Sequence, residues 1–573
     1  MQTRDGKKLL QSRVRDCVFD RIIAYMDSFG LELLWIDRHS VKQRECKAPC
    51  SHRRCRDKQA ALQTSDLVFK LSNHPVALLG RPIGSGGELD LLARILAGKL
   101  VDGNEEAREL RLSEATDRAE AGRALGLLRE MTSDLWWTRA WTFQENYCAG
   151  RKMTLLIRHA EGLERQKRSY HLFGDVRGEL CIRSVEFSRE ATRLCLAFRH
   201  VQPQTREEGE AGSYVLGTAG RYAVLLKGSD PMFATVVADV ERRGVKNPED
   251  RLSIAANCCR YPIRLNTREL QRNVPSLSLS KLAMCLLNGE ILYNGRAKGS
   301  HPPTSQMTVS AYLETQFFHG FCSPRDEHSL TFNRGCRLIS VELGASGIAT
   351  KGHLWRLGRT IRTAEFSCRL PRVGRQTGGL TSRQQNRLAQ LATVLRSHSH
   401  TPLADKIEAY LRYDSSSSSS DKVWNTTFPK RYMRMMATEL ASAIDGRKTL
   451  RLGSLWGLAE AVTWYDAIFV WEDGDPKVGD TGSTTRDTAS RRQGERPAFV
   501  FTASRPKRPS SSRRTADDVD CHVSLEVELT GSGVDGPPRL HVKRWLPGLC
   551  FFKGYPRRDV IFPWPSSLEA VTP

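Results

Sequence analysis

The sequence predicts a mixed α/β protein: an N-terminal α/β domain with a parallel sheet, a mostly helical middle region and a small β-rich C-terminal region. Two observations predict this fold class. Helical and strand patterns alternate along the first part, which is typical of a parallel sheet covered by helices. β-Branched and aromatic runs are concentrated in the last part. We place these parts at residues 1–200, 201–412 and 424–573, with a serine-rich linker at 413–423.

The N-terminal part alternates amphipathic segments with short apolar runs. Apolar residues four apart predict a first helix at Leu9–Ser28, and Gly30 ends it. The apolar run Leu31–Asp37 predicts a buried strand. The pattern continues with a helix at Lys58–Leu71, a strand at Pro75–Leu79, helices at Glu88–Leu100 and Glu114–Met131, and a strand at Met153–Ile157.

The later parts change character near residue 465. Before it, helical periodicity predicts helices at Phe187–Phe198, Arg251–Cys259, Ser280–Leu292, Arg383–Arg396, Leu403–Leu411 and Lys430–Ile444. After it, strands are predicted at Tyr465–Trp471, Ala498–Thr502, Val523–Leu529 and Leu540–Trp545. The polar tract 473–495 has too few apolar residues to pack and is predicted to be disordered.

A glycine-rich turn separates the second predicted strand from the following helix. Gly80-x-x-x-Gly84-Ser-Gly86-Gly87 stands where phosphate binds in many α/β proteins. It lacks the Lys-Ser/Thr of a P-loop and does not space its glycines as G-x-G-x-x-G. We therefore interpret it as a flexible helix entry.

The amino-acid composition indicates which classes of partner the protein can be expected to bind. The chain of 573 residues has 87 Lys and Arg against 64 Asp and Glu, a formal net charge of +23. Such a charge favours encounters with nucleic acid. However, the basic residues are dispersed, so a dedicated nucleic-acid groove is not predicted. One compact basic tract, 505–514, is a candidate nuclear address, and otherwise we expect a cytoplasmic protein without a membrane span or secretory signal.

The cysteines are scattered and are predicted to be free thiols. One cluster, Cys46-x-x-x-Cys50-x-His52-x-x-Cys55, holds four soft ligands within ten residues. Structural zinc sites normally join two separated ligand pairs. We therefore predict no metal site and interpret the cluster as a charged loop with incidental thiols.

A tryptophan-rich run, Trp136–Glu145, offers the strongest candidate chemistry. If it is helical, Trp137, Trp141 and Glu145 fall at i, i+4 and i+8, on one side of the helix. This pattern predicts a binding wall of indole rings that ends in a carboxylate. The alternative is that the indoles pack in the core and Glu145 is a solvated helix residue.

Two signatures in this part resemble those of fungal heterokaryon incompatibility domains. Trp35-Ile-Asp37-x-x-Ser40-Val-x-Gln43 resembles W-I-D-x-x-C-I-x-Q, and Arg139-x-Trp141-Thr-x-Gln144-Glu145 resembles R-x-W-T-x-Q-E. Two further segments, Gln63-Thr-Ser-Asp66-Leu-Val-Phe69 and Asp250–Cys259, also resemble segments of that family. The resemblance covers residues 1–150 well and continues weakly to about residue 290.

The resemblance implies a fold and a chemistry. Such domains are similar to TIR domains, which are flavodoxin-like α/β modules in which the glutamate of W-x-x-x-E cleaves the nicotinamide bond of NAD. Glu145 is the corresponding candidate catalytic residue, and Asp37, Arg139, Trp141 and Gln43 are the candidate substrate-binding residues. NAD is implied as a substrate, and no cofactor is expected.

The family usually begins with a segment resembling Y-x-A-L-S-Y-x-W-G, and we expect this chain to lack that first strand. Ser40 also replaces the signature cysteine, and Lys42 places a positive charge where an acidic or polar residue is common. The resemblance implies a self/non-self recognition protein that triggers programmed cell death through NAD cleavage. The alternative is a non-catalytic signalling module that acts by self-association or by binding another incompatibility protein, and nucleic-acid binding is a distant third.

Overall fold

The computed structural model describes most, but not all, of the chain. The described residues are 12, 14–41, 52–103, 110–201, 203–219, 232–266, 276–295, 307–314, 337–362, 366, 380–416, 428–456, 464–471, 498–503, 524–530, 536–552 and 555–565. Every helix within these ranges is too short or too polar to traverse a lipid bilayer.

The chain forms two compact units, the first built mainly from residues 1–284 and the second mainly from residues 285–573. The strands of the first unit are β1 Val76–Ile83, β2 Val101–Asp102, β3 Arg111–Leu112, β4 Thr154–His159 and β5 Glu179–Arg183. Its helices are α1 Asp16–Phe29, α2 Asp37–Ser40, α3 Arg53–Gln63, α4 Ser65–Leu71, α5 Gly86–Leu96, α6 Arg118–Thr132, α7 Leu135–Thr138, α8 Ala140–Ala149, α9 Glu164–Ser169, α10 Ser184–Phe198, α11 Arg206–Thr218, α12 Met232–Arg242, α13 Asp250–Cys258 and α14 Leu277–Leu287.

Among the described residues, the main sheet of the first unit has three strands in the order β1-β4-β5. β1 and β4 are parallel, with Val76 opposite Thr154 and Leu79 opposite Ile157. β5 pairs with β4 in the antiparallel direction. The first unit is therefore mixed α/β, as predicted, with a small sheet that contains one parallel pair, whereas the prediction was a wholly parallel sheet.

Helices cover both faces of this sheet. On one face α1 packs Tyr25 against Leu156 and Val176. On the other face α5, α6 and α10 bury residues such as Leu89, Leu128 and Phe187 against β1, β4 and β5. Burial of apolar surface, worth about 25 cal/mol per Å², is the main force that holds these layers together.

The predicted strand Leu31–Asp37 does not form, and this prediction was wrong. Gly30 ends α1 in a left-handed conformation with φ of 62°, and the Leu31 N–H then donates to the Met26 carbonyl at 2.9 Å. Residues 31–36 have no regular structure, and Asp37 begins the short helix α2. An apolar run forms a strand only where a neighbouring edge accepts its backbone hydrogen bonds, and the sequence alone does not reveal that edge.

Most other predicted elements of the first unit are present within a few residues. The predicted helix Lys58–Leu71 is instead two helices, α3 and α4, because Thr64 leaves the helical conformation with φ of −118° and ψ of 9°. The part of the first predicted helix before Ser12 lies outside the described residues.

In its described part, the second unit is built on one nine-stranded sheet. Its strands are β6 Glu342–Gly344, β7 Gly347–Ile361, β8 Thr449–Leu455, β9 Ala467–Trp471, β10 Phe499–Ala503, β11 Ser524–Thr530, β12 Arg539–Leu546, β13 Gly548–Cys550 and β14 Arg558–Phe562. Its helices are α15 Val309–Glu314, α16 Ser382–Ser397, α17 Thr401–Ser416 and α18 Phe428–Asp445.

β7 is the central strand and was not predicted. It pairs with β6, β8, β10 and β14 along its 15 residues. Because β10 pairs with β11, β11 with β12 and β12 with β14, five strands including β7 close into a ring. The predicted helical stretch 201–412 therefore contains the longest strand of the described chain, and the C-terminal strands belong to a larger sheet than expected.

The second unit has two main cores. Helices α16 to α18 pack Leu391, Ile407 and Leu440 against one face of β8 and β9. The opposite face carries Trp355, Phe469 and Val500. The predicted linker 413–423 begins in helix, since α17 continues to Ser416, and residues 417–423 and 473–495 lie outside the described part of the chain.

Candidate functional site

The tryptophan-rich run forms two short helices instead of one. Asp134 caps α7 by accepting a hydrogen bond from the Trp136 N–H at 2.8 Å. Arg139 is then extended, with φ of −90° and ψ of 142°. Its neighbours pair with Gly244: the Gly244 N–H donates to the Thr138 carbonyl, and the Ala140 N–H donates to the Gly244 carbonyl, both at 2.9 Å. This pairing holds the break between α7 and α8.

The break separates the two tryptophans that were predicted to line one helix face. Trp137, in α7, is 3% exposed and stacks on Phe187 with ring centroids 5.4 Å apart. Trp141, in α8, is half-buried and donates its indole N–H to Asp250 Oδ2 at 3.2 Å. The prediction of a continuous indole wall was wrong, and Trp137 belongs to the core. Trp141 and Glu145 do share helix α8 at a spacing of i, i+4.

Glu145 lies next to charged residues from both signatures. Burial and the Asp37 carboxylate raise the pKa of Glu145, the Arg139 guanidinium opposes the rise, and the resulting pKa is about 8. Removal of water disfavours the charged form of a carboxylate, and a second carboxylate nearby has the same effect. The fold thus brings Asp37, Arg139 and Glu145 into one electrostatic neighbourhood although 108 residues separate Asp37 from Glu145 in sequence.

Asp37 reaches this neighbourhood from a different element than predicted. Its carboxylate is exposed, and its Oδ1 accepts a hydrogen bond from the Arg38 N–H at 2.6 Å. It stands at the first residue of α2 and not at the carboxyl end of a strand. The predicted strand that ends at Asp37 is therefore absent, whereas the structure does bring the two candidate site residues Asp37 and Glu145 into electrostatic interaction.

A buried polar network fixes the helix that carries Glu145. Gln144 is fully buried and donates its side-chain amide to Ser65 Oγ at 2.8 Å. Asn257, on α13, donates to Gln144 Oε1 at 3.0 Å and to the Leu62 carbonyl at 2.9 Å. Arg264 in turn donates to Asn257 Oδ1 and pairs with Asp66 at 3.4 Å. Because these groups satisfy one another away from water, they hold α3, α4, α8 and α13 in one arrangement.

The network assigns structural roles to residues of the signatures. Gln144 and Asp66 are buried scaffold residues and not ligands of a cleft. Sequence analysis did not single out Asn257 or Ser65. The available signal was that Asn257 lies among alanines and cysteines in Asp250–Cys259, where a lone amide in an apolar helix needs a buried partner.

The glycine-rich turn is occupied by the protein's own carboxylate. Ser85 caps α5, and its Oγ accepts from the Glu88 N–H at 3.2 Å. Glu88 Oε2 accepts from the Gly84 N–H at 2.9 Å, while Oε1 accepts from Arg81 at 2.7 Å. The backbone donor that would meet a phosphate already serves Glu88. This arrangement agrees with the interpretation as a helix entry.

Several predicted features lie outside the described residues. These are Gln43, Lys42, Cys46 and Cys50, and the basic tract 505–514. Of the cysteine cluster, Cys55 is buried in α3 and His52 precedes that helix. Within the described ranges, His, Cys, Asp and Glu side chains do not gather in groups of three that could hold a metal ion.

Comparison with known proteins identifies no relative of this chain. No protein-family model, no curated protein and no solved structure matches this chain.

Proposed function

We propose that the first unit hydrolyses the bond between nicotinamide and ribose in NAD, and that this reaction triggers cell death during self/non-self recognition in a filamentous fungus. The observation that carries the proposal is Glu145, whose pKa rises to about 8 beside Asp37. Groups with strongly shifted pKa values are concentrated at functional sites. The TIR-like arrangement implied by the two signatures belongs to the same proposal.

Paired carboxylates suit this reaction. Cleavage breaks the bond between ribose C1′ and the pyridinium nitrogen, and the electron pair leaves with neutral nicotinamide. Positive charge then develops on the ribose as an oxocarbenium ion, which nearby carboxylates stabilise as they do in glycosidases. Water adds to C1′ and loses its proton to the Glu145 carboxylate, which gives ADP-ribose.

The proton held by Glu145 provides selectivity for a cationic substrate. At neutral pH a carboxyl group with a pKa of about 8 is mostly protonated. A positively charged nicotinamide ring placed beside it lowers that pKa and favours release of the proton. We assign Trp141 as the flat partner of the ring and Arg139 as the partner of the pyrophosphate. Gln43 is the remaining substrate-binding candidate on the resemblance alone.

A non-catalytic signalling role is the second candidate. The observation that favours it is the burial of Gln144, Asp66 and Asn257, because these residues of the family-like segments then stabilise the fold and do not contact a substrate. In this role the protein would act by self-association or by binding another incompatibility protein.

Inducible expression in a fungal host distinguishes the two candidates. Growth and cellular NAD are measured together for the wild type, for Glu145→Gln and for Glu161→Gln, in which an exposed glutamate of the same unit undergoes the same chemical change. The enzymatic proposal expects growth arrest with NAD loss in the wild type and in the control, and neither in Glu145→Gln. Growth arrest without NAD loss, retained in Glu145→Gln, would favour the signalling role.

A further inference from the structure

The segment between α1 and α2 exposes an unusual amount of apolar surface. Leu33 is 94% exposed, Leu34 46% and Trp35 39%. Within the described part of the chain, the backbone groups of residues 32–35 form no hydrogen bonds. The sequence of this segment nevertheless has the apolar character of a strand. We call residues 31–36 the donor segment.

Among the strands that the structure describes, one edge of the main sheet lacks a neighbouring strand. β1 is the first strand in the order β1-β4-β5. The Thr154 N–H donates to the Pro75 carbonyl at 2.9 Å, so Pro75 faces β4. Since backbone groups alternate in direction along a strand, those of Val76 and Leu78 face away from β4. Among the described residues, these outward groups have no hydrogen-bond partner, and we call Val76–Leu78 the acceptor edge.

The donor segment and the acceptor edge lie close together in each chain. Leu31, Val76 and Leu78 all pack against the cluster formed by Tyr25, Leu156 and Val176. Trp35 contacts Phe69 with ring centroids 5.8 Å apart, which anchors the other end of the donor segment. Within its described residues, each chain thus offers a strand-forming segment and a strand edge with open backbone groups beside the same apolar cluster.

We propose that two copies of this chain exchange these segments, so that the donor segment of each copy pairs with the acceptor edge of the other. Within one chain, Leu31 and Trp35 anchor the donor segment, which forms no backbone hydrogen bond with the acceptor edge, and a second copy supplies a partner for both. Two-fold exchange is self-complementary, the commonest symmetry of protein dimers. Pairing would satisfy the open backbone groups and cover Leu33 and Trp35, which alternate onto one face.

This inference does not depend on NAD cleavage. Glu145 belongs to neither surface, so Glu145→Gln is expected to assemble like the wild type even if the proposed reaction is wrong. A monomeric wild type that still releases nicotinamide would refute the exchange and leave the enzymatic proposal in place.

Complementation between two variants tests the exchange with the full chain. Leu33→Lys removes the donor, and Leu78→Pro removes an outward N–H from the edge, where proline is tolerated. Val76→Pro serves the same purpose if Leu78→Pro does not give the wild-type circular dichroism spectrum. Leu279→Lys is the matched control, because Leu279 is 60% exposed and belongs to neither surface.

Molar mass is measured by light scattering after gel filtration. We expect dimers for the wild type and for Leu279→Lys, at least tenfold weaker association for each of the two edge variants alone, and dimers again when Leu33→Lys and Leu78→Pro are mixed. A monomeric wild type, unchanged association of the single variants, or a mixture that stays monomeric would each overturn the proposal. The last outcome would mean that Leu33 and Leu78 support association only through nonspecific apolar contact and not through exchange of strands.

Discussion

Glu145 holds its proton at neutral pH because the surrounding protein replaces the water that would stabilise its charge. The pKa of about 8 also has a thermodynamic consequence, since the pKa of the same group in the unfolded chain is near 4.5. The folded state binds more protons than the unfolded state between these two values. The contribution of Glu145 to stability is therefore fully present below about pH 4.5 and is lost as the pH rises through 8.

This linkage predicts how Glu145→Gln changes the stability of the first unit. One pKa unit corresponds to about 1.4 kcal/mol, and partial solvent access reduces the effect, so we expect a relative gain of about 2–4 kcal/mol for the variant on going from pH 5 to pH 9. The measurement is the free energy of unfolding from urea titrations at both pH values. If the free energy of unfolding changed equally with pH in the wild type and the variant, the pKa of Glu145 would be the same in the folded and the unfolded chain.

Substitution of the two charged neighbours of Glu145 is predicted to shift its pKa in opposite directions. Asp37 raises the pKa of Glu145 and Arg139 opposes the rise. If ionised Glu145 is the active form, kcat/KM rises with pH and levels above an inflection near 8. Asp37→Asn should move this inflection to lower pH, and Arg139→Gln should move it to higher pH. The check is the pH profile of nicotinamide release, and shifts in the same direction would contradict the assignment.

At the scale of single residues, sequence reasoning named residues that the structure brings together, although parts of the reasoning were wrong. The spacing of Trp141 and Glu145 on one helix was predictable from the helical period. The position of Trp137 was not, because it depends on the extended backbone of Arg139, which Gly244 holds from more than 100 residues away. Asp37 was expected at the end of a strand and instead begins a short helix.

Among the elements, α8 matters most for the proposed function because it carries Glu145. The buried side-chain amide of Asn257 fixes the position of this helix. Asn257→Ala leaves the buried Gln144 Oε1 without its hydrogen-bond donor and removes one hydrogen bond each from the Leu62 carbonyl and the Arg264 guanidinium. Unsatisfied buried polar groups cost about 1–3 kcal/mol each, so we expect the first unit to lose at least that much.

Chemical denaturation followed by tryptophan fluorescence measures this loss. Asn73→Ala is the matched control, since Asn73 is exposed in the same unit, and it should change stability by less than about 0.5 kcal/mol. Equal stability of the two variants would show that the network does not position α8.

Long amphipathic helices and ordinary strands were predictable, whereas β7 was not. Its sequence contains Gly352, which usually argues against a strand interior. Here a β-carbon at Gly352 would lie 2.5 Å from the Thr502 carbonyl oxygen, so the glycine is required by the close approach of β10. The sequence around Gly352 does not indicate that β10 lies beside it, because Thr502 is 150 residues away.

For the molecule as a whole, the charge of +23 predicts weak, nonspecific attraction to nucleic acid. Many of the arginines already serve carboxylates, as Arg21 does for Glu179 and Arg243 for Asp239. Binding of a single-stranded oligonucleotide should therefore fall steeply with salt and vanish near about 0.15 M. Fluorescence anisotropy across a salt series measures this, and sequence-selective binding that survives at that salt would contradict the prediction.

Release of nicotinamide by the purified protein tests the central claim most directly. The full chain, at high concentration, is incubated with NAD, and nicotinamide and ADP-ribose are quantified by chromatography for the wild type, Glu145→Gln and Glu161→Gln. We predict equal amounts of the two products from the wild type and from Glu161→Gln, and a rate at least a hundredfold lower, about 3 kcal/mol in barrier, from a folded Glu145→Gln. Absence of release from the folded wild type, or undiminished release from Glu145→Gln, would contradict the account.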